Sequence, residues 1–313
     1  MSKDFDCISI GASLLDTLVK LKNAHQHNDT ASPSGVDECF ALGTKTDVES
    51  IIQQSGGGAT NSAVTFKRQG LLATVIGKVG SDHAGDLVKN DLRQDNIPID
   101  HIIVAKGGKT GQSVILIDPN AERTVLTDRG SAGHLTTDDL AVLDNLKSRW
   151  VYVTSLNGLA PSIEHVWQWA NKNNIKIAWN PGKLDLKIDY MHLERWFKQI
   201  SLLIINREEA GMIFQQNITS ENAVKELKKM KVVQAIVSDG ANPIWAFDHQ
   251  NTVSLTPHHI KAVDSTGAGD ALGSGAVAGL MHGMTFKNAL EHGLANSESV
   301  VMKVGAKTGI MYK

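Results

Sequence analysis

Short apolar runs alternate with longer segments of helical period along most of this chain. Residues 7–10, 74–78, 150–154, 176–179, 202–205 and 235–238 have the length and composition of strands buried on both faces. Between them, residues 61–69, 82–95, 163–171, 208–214, 220–230 and 271–281 carry the length and periodicity of helices. This rhythm predicts a three-layer αβα sandwich around a mostly parallel sheet, with ligands bound at the carboxyl ends of the strands. Two segments break it. Residues 12–55 contain a polar stretch, 23–35, and then an alternation over 38–48 that reads as an antiparallel strand. Residues 99–126 contain the hairpin-like pair 112–117 and 123–126, joined through Asp118-Pro119-Asn120. Together they predict a small β-sheet set apart from the sandwich.

The chemistry concentrates in Asp264-Ser265-Thr266-Gly267-Ala268-Gly269-Asp270, which opens onto a small-residue helix. Glycines let consecutive N–H groups turn into one concavity, and a helix N-terminus favours negative charge there. Asp270 stands beside both and can accept the proton of an attacking hydroxyl, while the amides of Gly267, Ala268 and Gly269 stabilise a transferring phosphoryl group. The pattern reads as a kinase active site. A plainer reading is a glycine turn followed by a helix capped by Asp270. Gly273, Gly275 and Gly279 inside the helix argue for more, since each costs about 1 kcal/mol relative to Ala and implies close backbone approach.

This run resembles the C-terminal signature of the ribokinase, or PfkB-type, carbohydrate kinase family, D-T-x-G-A-G-D followed by a small-residue helix. Ser265 replaces the usual Thr, and Leu272 the usual Phe. Gly56-Gly57-Gly58-Ala59-Thr60-Asn61 and Gly77-Lys78-Val79-Gly80-Ser81-Asp82-His83-Ala84-Gly85 resemble the family's N-terminal signature, so the similarity spans most of the chain. The resemblance implies a ribokinase-like body over residues 1–12, 56–98 and 127–313, with a β-lid from 13–55 and 99–126 that closes over the substrate and joins a homodimer.

By position, Gly57 and Asn61 would contact substrate, and Asp16 would bind its hydroxyls. Glycine allows close approach and Asn61 offers both donor and acceptor, yet a loop into a helix capped by Asn61 explains the same residues. Asp16 alone reads as an ordinary turn residue. Asn206-Arg207-Glu208-Glu209 forms a capping box, and the family's N-x-x-E at this place organises Mg2+ through water beside the phosphates of ATP. Val237-Ser238-Asp239-Gly240 resembles the strand-end T-x-G along the nucleotide, making Ser238 and Gly240 nucleotide contacts, although Pro243 replaces a later glycine. Asn296 aligns with an Asn beside the adenine, against the alternative of a surface Asn on an amphipathic helix. Asp264 resembles a position that orders a monovalent-cation loop, which suggests K+ activation. Arg129, where the second lid segment returns to the body, can reach the transferring phosphate or act as a solvated hinge residue.

Composition agrees with an enzyme. With 313 residues, 42% hydrophobic and 20% charged, the chain can bury a large core. A net charge of −2 without a basic run argues against nucleic acid as a partner. No apolar run reaches membrane-spanning length and residues 1–6 are too polar for a secretory signal, so the expectation is a cytoplasmic protein without a membrane partner. Cys7 and Cys39 lack metal-ligand spacing and predict no disulfide framework. Trp167, Trp169 and Trp179 read as core or pocket wall, and His25, His27, His258 and His259 lack metal-ligand context.

The expected activity is ATP-dependent phosphorylation of a hydroxyl on a sugar or sugar-containing small molecule. A nucleoside kinase is the alternative within the same chemistry, and a non-catalytic sugar or nucleotide sensor the alternative outside it. A dehydrogenase is disfavoured, because G-x-G-x-x-G spacing in a strand-turn-helix unit is lacking.

Overall fold

All six doubly buried runs become strands of one sheet in the computed structural model, which describes residues 3–23, 25–29 and 36–313. Met1, Ser2, Ala24 and residues 30–35, which belong to the polar start and the polar stretch 23–35, lie outside the described residues. Among the described residues, nine strands form the sheet in the order Thr252–Leu255, Asn242–Phe247, Ala235–Asp239, Leu202–Asn206, Lys176–Trp179, Leu146–Val153, Lys3–Ile10, Ala73–Gly80 and Ile102–Ala105. Neighbours are parallel from Ile102–Ala105 to Ala235–Asp239, and the last two strands continue antiparallel as a hairpin.

The alternating faces of these strands feed two separate cores. Val151, Val153, Ile205 and Val237 pack under the helices Ala160–Lys172, Tyr190–Phe197, Arg207–Phe214 and Ser220–Lys229. Tyr152, Ile204 and Ile236 point the other way, under Ala268–Met281 and Phe286–Val301. That division explains why the strand sequences are apolar at consecutive positions. Trp167 and Trp179 meet edge to face at 5.1 Å within the first core, with Trp196 beside them, so the tryptophans are core residues.

The helical glycines have a packing cause rather than a ligand. A Cβ on Gly275 would lie 2.9 Å from Gly293 Cα, and one on Gly279 would lie 2.9 Å from Ala289 Cα. Both contacts let Ala268–Met281 press against Phe286–Val301, a helix whose own Gly293 and polar residues hide its period in the sequence.

A second sheet stands apart, with four strands among the described residues in the order Val48–Gly56, Leu14–Leu21, Gly111–Ile117 and Arg123–Asp128. Its antiparallel strand begins at Val48. The expected strand over 38–48 is not formed: only Val36–Glu38 pairs, with Gln26–Asn28, and the chain then turns at Gly43 with φ 76°. A residue in that left-handed region cannot continue an extended strand. The segment 99–126 is also divided, because Ile102–Ala105 joins the edge of the large sheet and only the hairpin after it belongs to the small one. Cys7 and Cys39 are both free thiols. No helix among the described residues is long and apolar enough to cross a membrane.

Candidate active site

The helix Ala268–Met281 starts at the carboxyl end of the large sheet, and its N-cap is Gly267 at φ 78°, not Asp270. Asp270 is the third helical residue, so the plain capping role does not apply to it. No side chain caps this end. Ala268 N–H reaches the Ser265 carbonyl at 3.3 Å, whereas Gly269 and Asp270 N–H have no protein acceptor among the described residues. A Cβ on Gly269 would meet nothing within 4 Å. Open donors, open space and the positive end of a helix dipole therefore coincide.

Asp270 faces a second helix that starts at the same place. Gly58–Arg68 is capped by Gly57 at φ 91°, where a Cβ would strike the Ala12 carbonyl oxygen at 2.3 Å. Asn61 lies one turn in, so it is not the cap, and its Nδ2 donates to Asp270 Oδ2 at 2.8 Å. Asn61 Oδ1 is buried without a partner. An orphaned acceptor beside a carboxylate is what a ligand hydroxyl would satisfy. Burial pushes the Asp270 carboxyl above its usual range, against the lowering effects of the Asn61 hydrogen bond, Lys307 and Arg123.

Asp16 is no turn residue. It sits within the strand Leu14–Leu21, opposite Ser113 on one side and Gln54 on the other, and is 4% exposed. Its carboxylate lies over Gly56, where a Cβ would come within 2.0 Å of Oδ2. Burial pushes its pKa up to about 6, opposed by Lys307 and Ser113 and reinforced by Asp270 and Asp264.

On the opposite flank, the strands ending at Asn206 and Asp239 are adjacent, with Asn206 paired to Ser238. The capping box is formed in both directions: Glu209 N–H donates to Asn206 Oδ1 at 2.9 Å and Asn206 N–H to Glu209 Oε2 at 2.8 Å. Burial raises Glu209 to about 7, lowered in part by the Asn206 bond and Lys183 and raised further by Glu208 and Asp270. Glu209 and Asp270 thus share one electrostatic space. Gly240, at φ 58°, makes the turn after Ser238, with nothing within 4 Å of a Cβ. Pro243 is absorbed into the strand Asn242–Phe247.

Asp264 is fully buried, its two oxygens accepting Thr266 N–H and Gly305 N–H, each at 2.8 Å. It ties the loop before the helix to the loop at 304–306, and Thr266 Oγ1 nearby is buried without a partner. No three His, Cys, Asp or Glu side chains converge to cage a metal ion among the described residues. A divalent ion here would therefore complete its coordination with phosphate and water, as Mg2+ commonly does.

Two expected site residues are engaged within the fold. Asn296 is fully buried and engaged at both ends, donating to the Ala271 carbonyl and accepting from Met311 N–H, each at 2.9 Å. It clasps the helix to the tail and is not a surface residue. Arg129 donates to Asn157 Oδ1 just past the end of the strand Arg123–Asp128. Arg123, from the hairpin tip, donates to Ser265 Oγ at the helix mouth and acts on Asp270. The sequence signal for it was the charged Glu122-Arg123 beginning a strand next to the Asp-Pro-Asn turn. Lys307 was also overlooked. It is a lone charge in the small and apolar run around Gly305-Ala306, and it is 3% exposed.

The family model for pfkB carbohydrate kinases matches residues 33–311. An uncharacterised sugar kinase from Archaeoglobus fulgidus is 26% identical over 248 residues, covering 78% of this chain and 97% of its own. Among solved structures, Arabidopsis thaliana ribokinase complexed with ribose and ATP superimposes with a TM-score of 0.78 at 18% identity, covering 100% of this chain and 96% of that one. Burkholderia thailandensis nucleoside kinase in complex with inosine gives 0.76 at 15% identity, covering 97% and 94%.

Proposed function

The chain belongs to the pfkB family of carbohydrate kinases, and from that premise we propose that it transfers the γ-phosphoryl group of ATP to a hydroxyl of a sugar or sugar-containing small molecule. The observation that carries this reading is the Asn61–Asp270 hydrogen bond between two helix mouths, with Asn61 Oδ1 left for a ligand. Asp16 and Asn61 accept acceptor-substrate hydroxyls and orient one of them towards Asp270. Asp270 takes its proton as the oxygen bonds to the γ-phosphorus, and ADP departs with the electron pair of the broken bond. The amides of Gly267, Ala268 and Gly269 face the developing charge, and of the three only Ala268 N–H has a protein acceptor among the described residues.

Ser238 and Gly240 flank the nucleotide. Asn206 and Glu209 would hold Mg2+ through water, and the ion would supply charge neutralisation across the phosphates. Asp264 orders a K+ loop in this reading. Exchanging K+ for choline lowers turnover several-fold; equal rates would remove the ion from the scheme.

Residues 13–55 and the hairpin after Ala105 act as the lid. Ile52 and Val125 share the face of the small sheet that carries the substrate-binding carboxylate of Asp16. The opposite face exposes Ile51 (63%) and Leu126 (58%), which supports a homodimer through the lid.

Arg123, as a lid residue at the helix mouth, neutralises the moving phosphoryl group on closure. Arg123→Met lowers kcat on the order of 10²-fold with a smaller change in the acceptor KM. Arg129→Met changes kcat less than about 10-fold, as the loss of an exposed polar contact does. A reversed order in steady-state kinetics would return the role to Arg129.

The activity is tested by ADP release from ATP and Mg2+ with D-ribose, fructose 6-phosphate, inosine and adenosine as acceptors. Phosphorylation of a sugar supports the reading; turnover of nucleosides alone selects the nucleoside kinase, the reading favoured by the inosine-complexed neighbour. No ADP with any sugar or nucleoside leaves a binding protein.

A further inference from the structure

A buried lysine with no part in the chemistry above lies beneath the acceptor side of the site. Lys307 Nζ donates to both the carbonyl oxygen and Oγ of Ser55, the residue before Gly56. Ser55 in turn gives its N–H to Asp91 Oδ2 at 2.9 Å, and its hydroxyl to the same atom. Lys307 Nζ stands 3.8 Å from that carboxylate. The main chain at this point is fixed as well, because Arg68 Nη1 donates to the Lys307 carbonyl at 2.6 Å while pairing with Asp95.

An ammonium taken out of water at 3% exposure carries a desolvation cost that a stem and two neutral acceptors do not offset. The compensation is anionic. Asp91, Asp16, Asp95 and Asp270 all act on it, and the first two lie on either side of the strand end at Ser55–Gly56. Asp95 is already engaged by Arg68, and Asp91 holds Ser55. Asp16, resting against Gly56, is held towards its ionised form by Lys307 and the Ser113 hydroxyl, while Asp270 and Asp264 press on it from the helix mouth. Left alone among carboxylates, a buried acid takes up a proton and can no longer accept two ligand hydroxyls.

We infer that Lys307 is the positioning residue of the acceptor site: its sealed ammonium pins the strand end at Ser55–Gly56 and keeps Asp16 an ionised, doubly accepting carboxylate. This rests on the kinase reading only for the identity of the ligand, since the pairing itself is a property of the free protein. Burial draws Lys307 down to about 8 and Asp16 up to about 6, so both remain charged between these values. Across that window the lid strand carries a charge-complete site. Below it Asp16 protonates, and above it the lysine loses its charge.

The experiment reads the two groups directly. In protein labelled with 13C at Asp carboxyls, with Asp16→Asn identifying the signal, the Asp16 midpoint in folded Lys307→Met rises by about one pH unit or more. An unchanged midpoint overturns the inference, whatever the enzyme phosphorylates. Should Lys307→Met not fold, the reciprocal measurement decides: in Asp16→Asn, the midpoint of the Lys307 ammonium falls by a comparable amount, because coupling between two sites is mutual. No shift there also overturns it. With an acceptor from the panel above, Lys307→Met raises the acceptor KM at pH 7 and regains most of the loss at pH 9, with the ATP KM held. A merely structural lysine would lose activity equally at both pH values.

Discussion

Asp270→Asn is expected to lower kcat on the order of 10² to 10⁴-fold while the affinity for a non-hydrolysable ATP analogue stays within a few-fold. The substitution keeps the shape of the side chain and removes its basicity. It also turns an amide towards the Asn61 amide that now donates to Oδ2 at 2.8 Å, so the variant must rotate one of the two groups. Burial holds the wild-type carboxyl above the usual Asp range, and a base must be ionised to work. The wild-type rate therefore falls as pH is lowered through this raised pKa, and the variant lacks that acid limb. Equal turnover of the two proteins would remove Asp270 from the base role; a preserved acid limb would assign the limb to another group.

The second large effect is expected at Gly267. Its φ of 78° lies in the left-handed region, which costs a residue with a Cβ about 1–2 kcal/mol. The space is closed as well, with Ala306 Cβ 2.5 Å and Cα 2.8 Å from a new methyl group. Gly267→Ala must shift the helix start away from the 304–306 loop, taking the Gly269 and Asp270 amides out of line. Turnover falls on the order of 10² to 10³-fold, the usual cost of losing an oxyanion donor, and the thermal midpoint drops by several degrees. Gly269→Ala separates chemistry from folding. Its Cβ touches no protein atom within 4 Å, so the midpoint stays put while kcat/KM for ATP falls as the methyl enters the phosphate space. A normal rate for Gly269→Ala would place the phosphate elsewhere.

What was legible in the sequence was local. The run from Asp264 to Asp270 and the capping box of Asn206 and Glu209 are each built within a few residues, and the periodic strands and helices of the large sheet report their own burial. Less legible are the groups that meet across the chain. Arg123 reaches Ser265 over a separation of 142 residues, and Lys307 reaches Ser55 over 252. Neither has a neighbour in sequence that betrays its partner. Helical periodicity alone would leave Asn296 on the surface, yet its surroundings are set by the tail that folds back over it at Met311. The 38–48 alternation failed for a related reason, since a strand needs a partner as well as a pattern, and Gly43 turns the chain before one is met.

The two helices that begin at Gly58 and Ala268 bring their positive ends together, as the Asn61–Asp270 contact between their first turns shows. That arrangement does not switch off when the reaction is over. A freshly phosphorylated molecule would be left with its added charge against two dipoles, under a closed cover whose arginine reaches the same rim. Letting go would then compete with bond making for the slowest place in the cycle, and the price of a strong anion trap would be a reluctant exit.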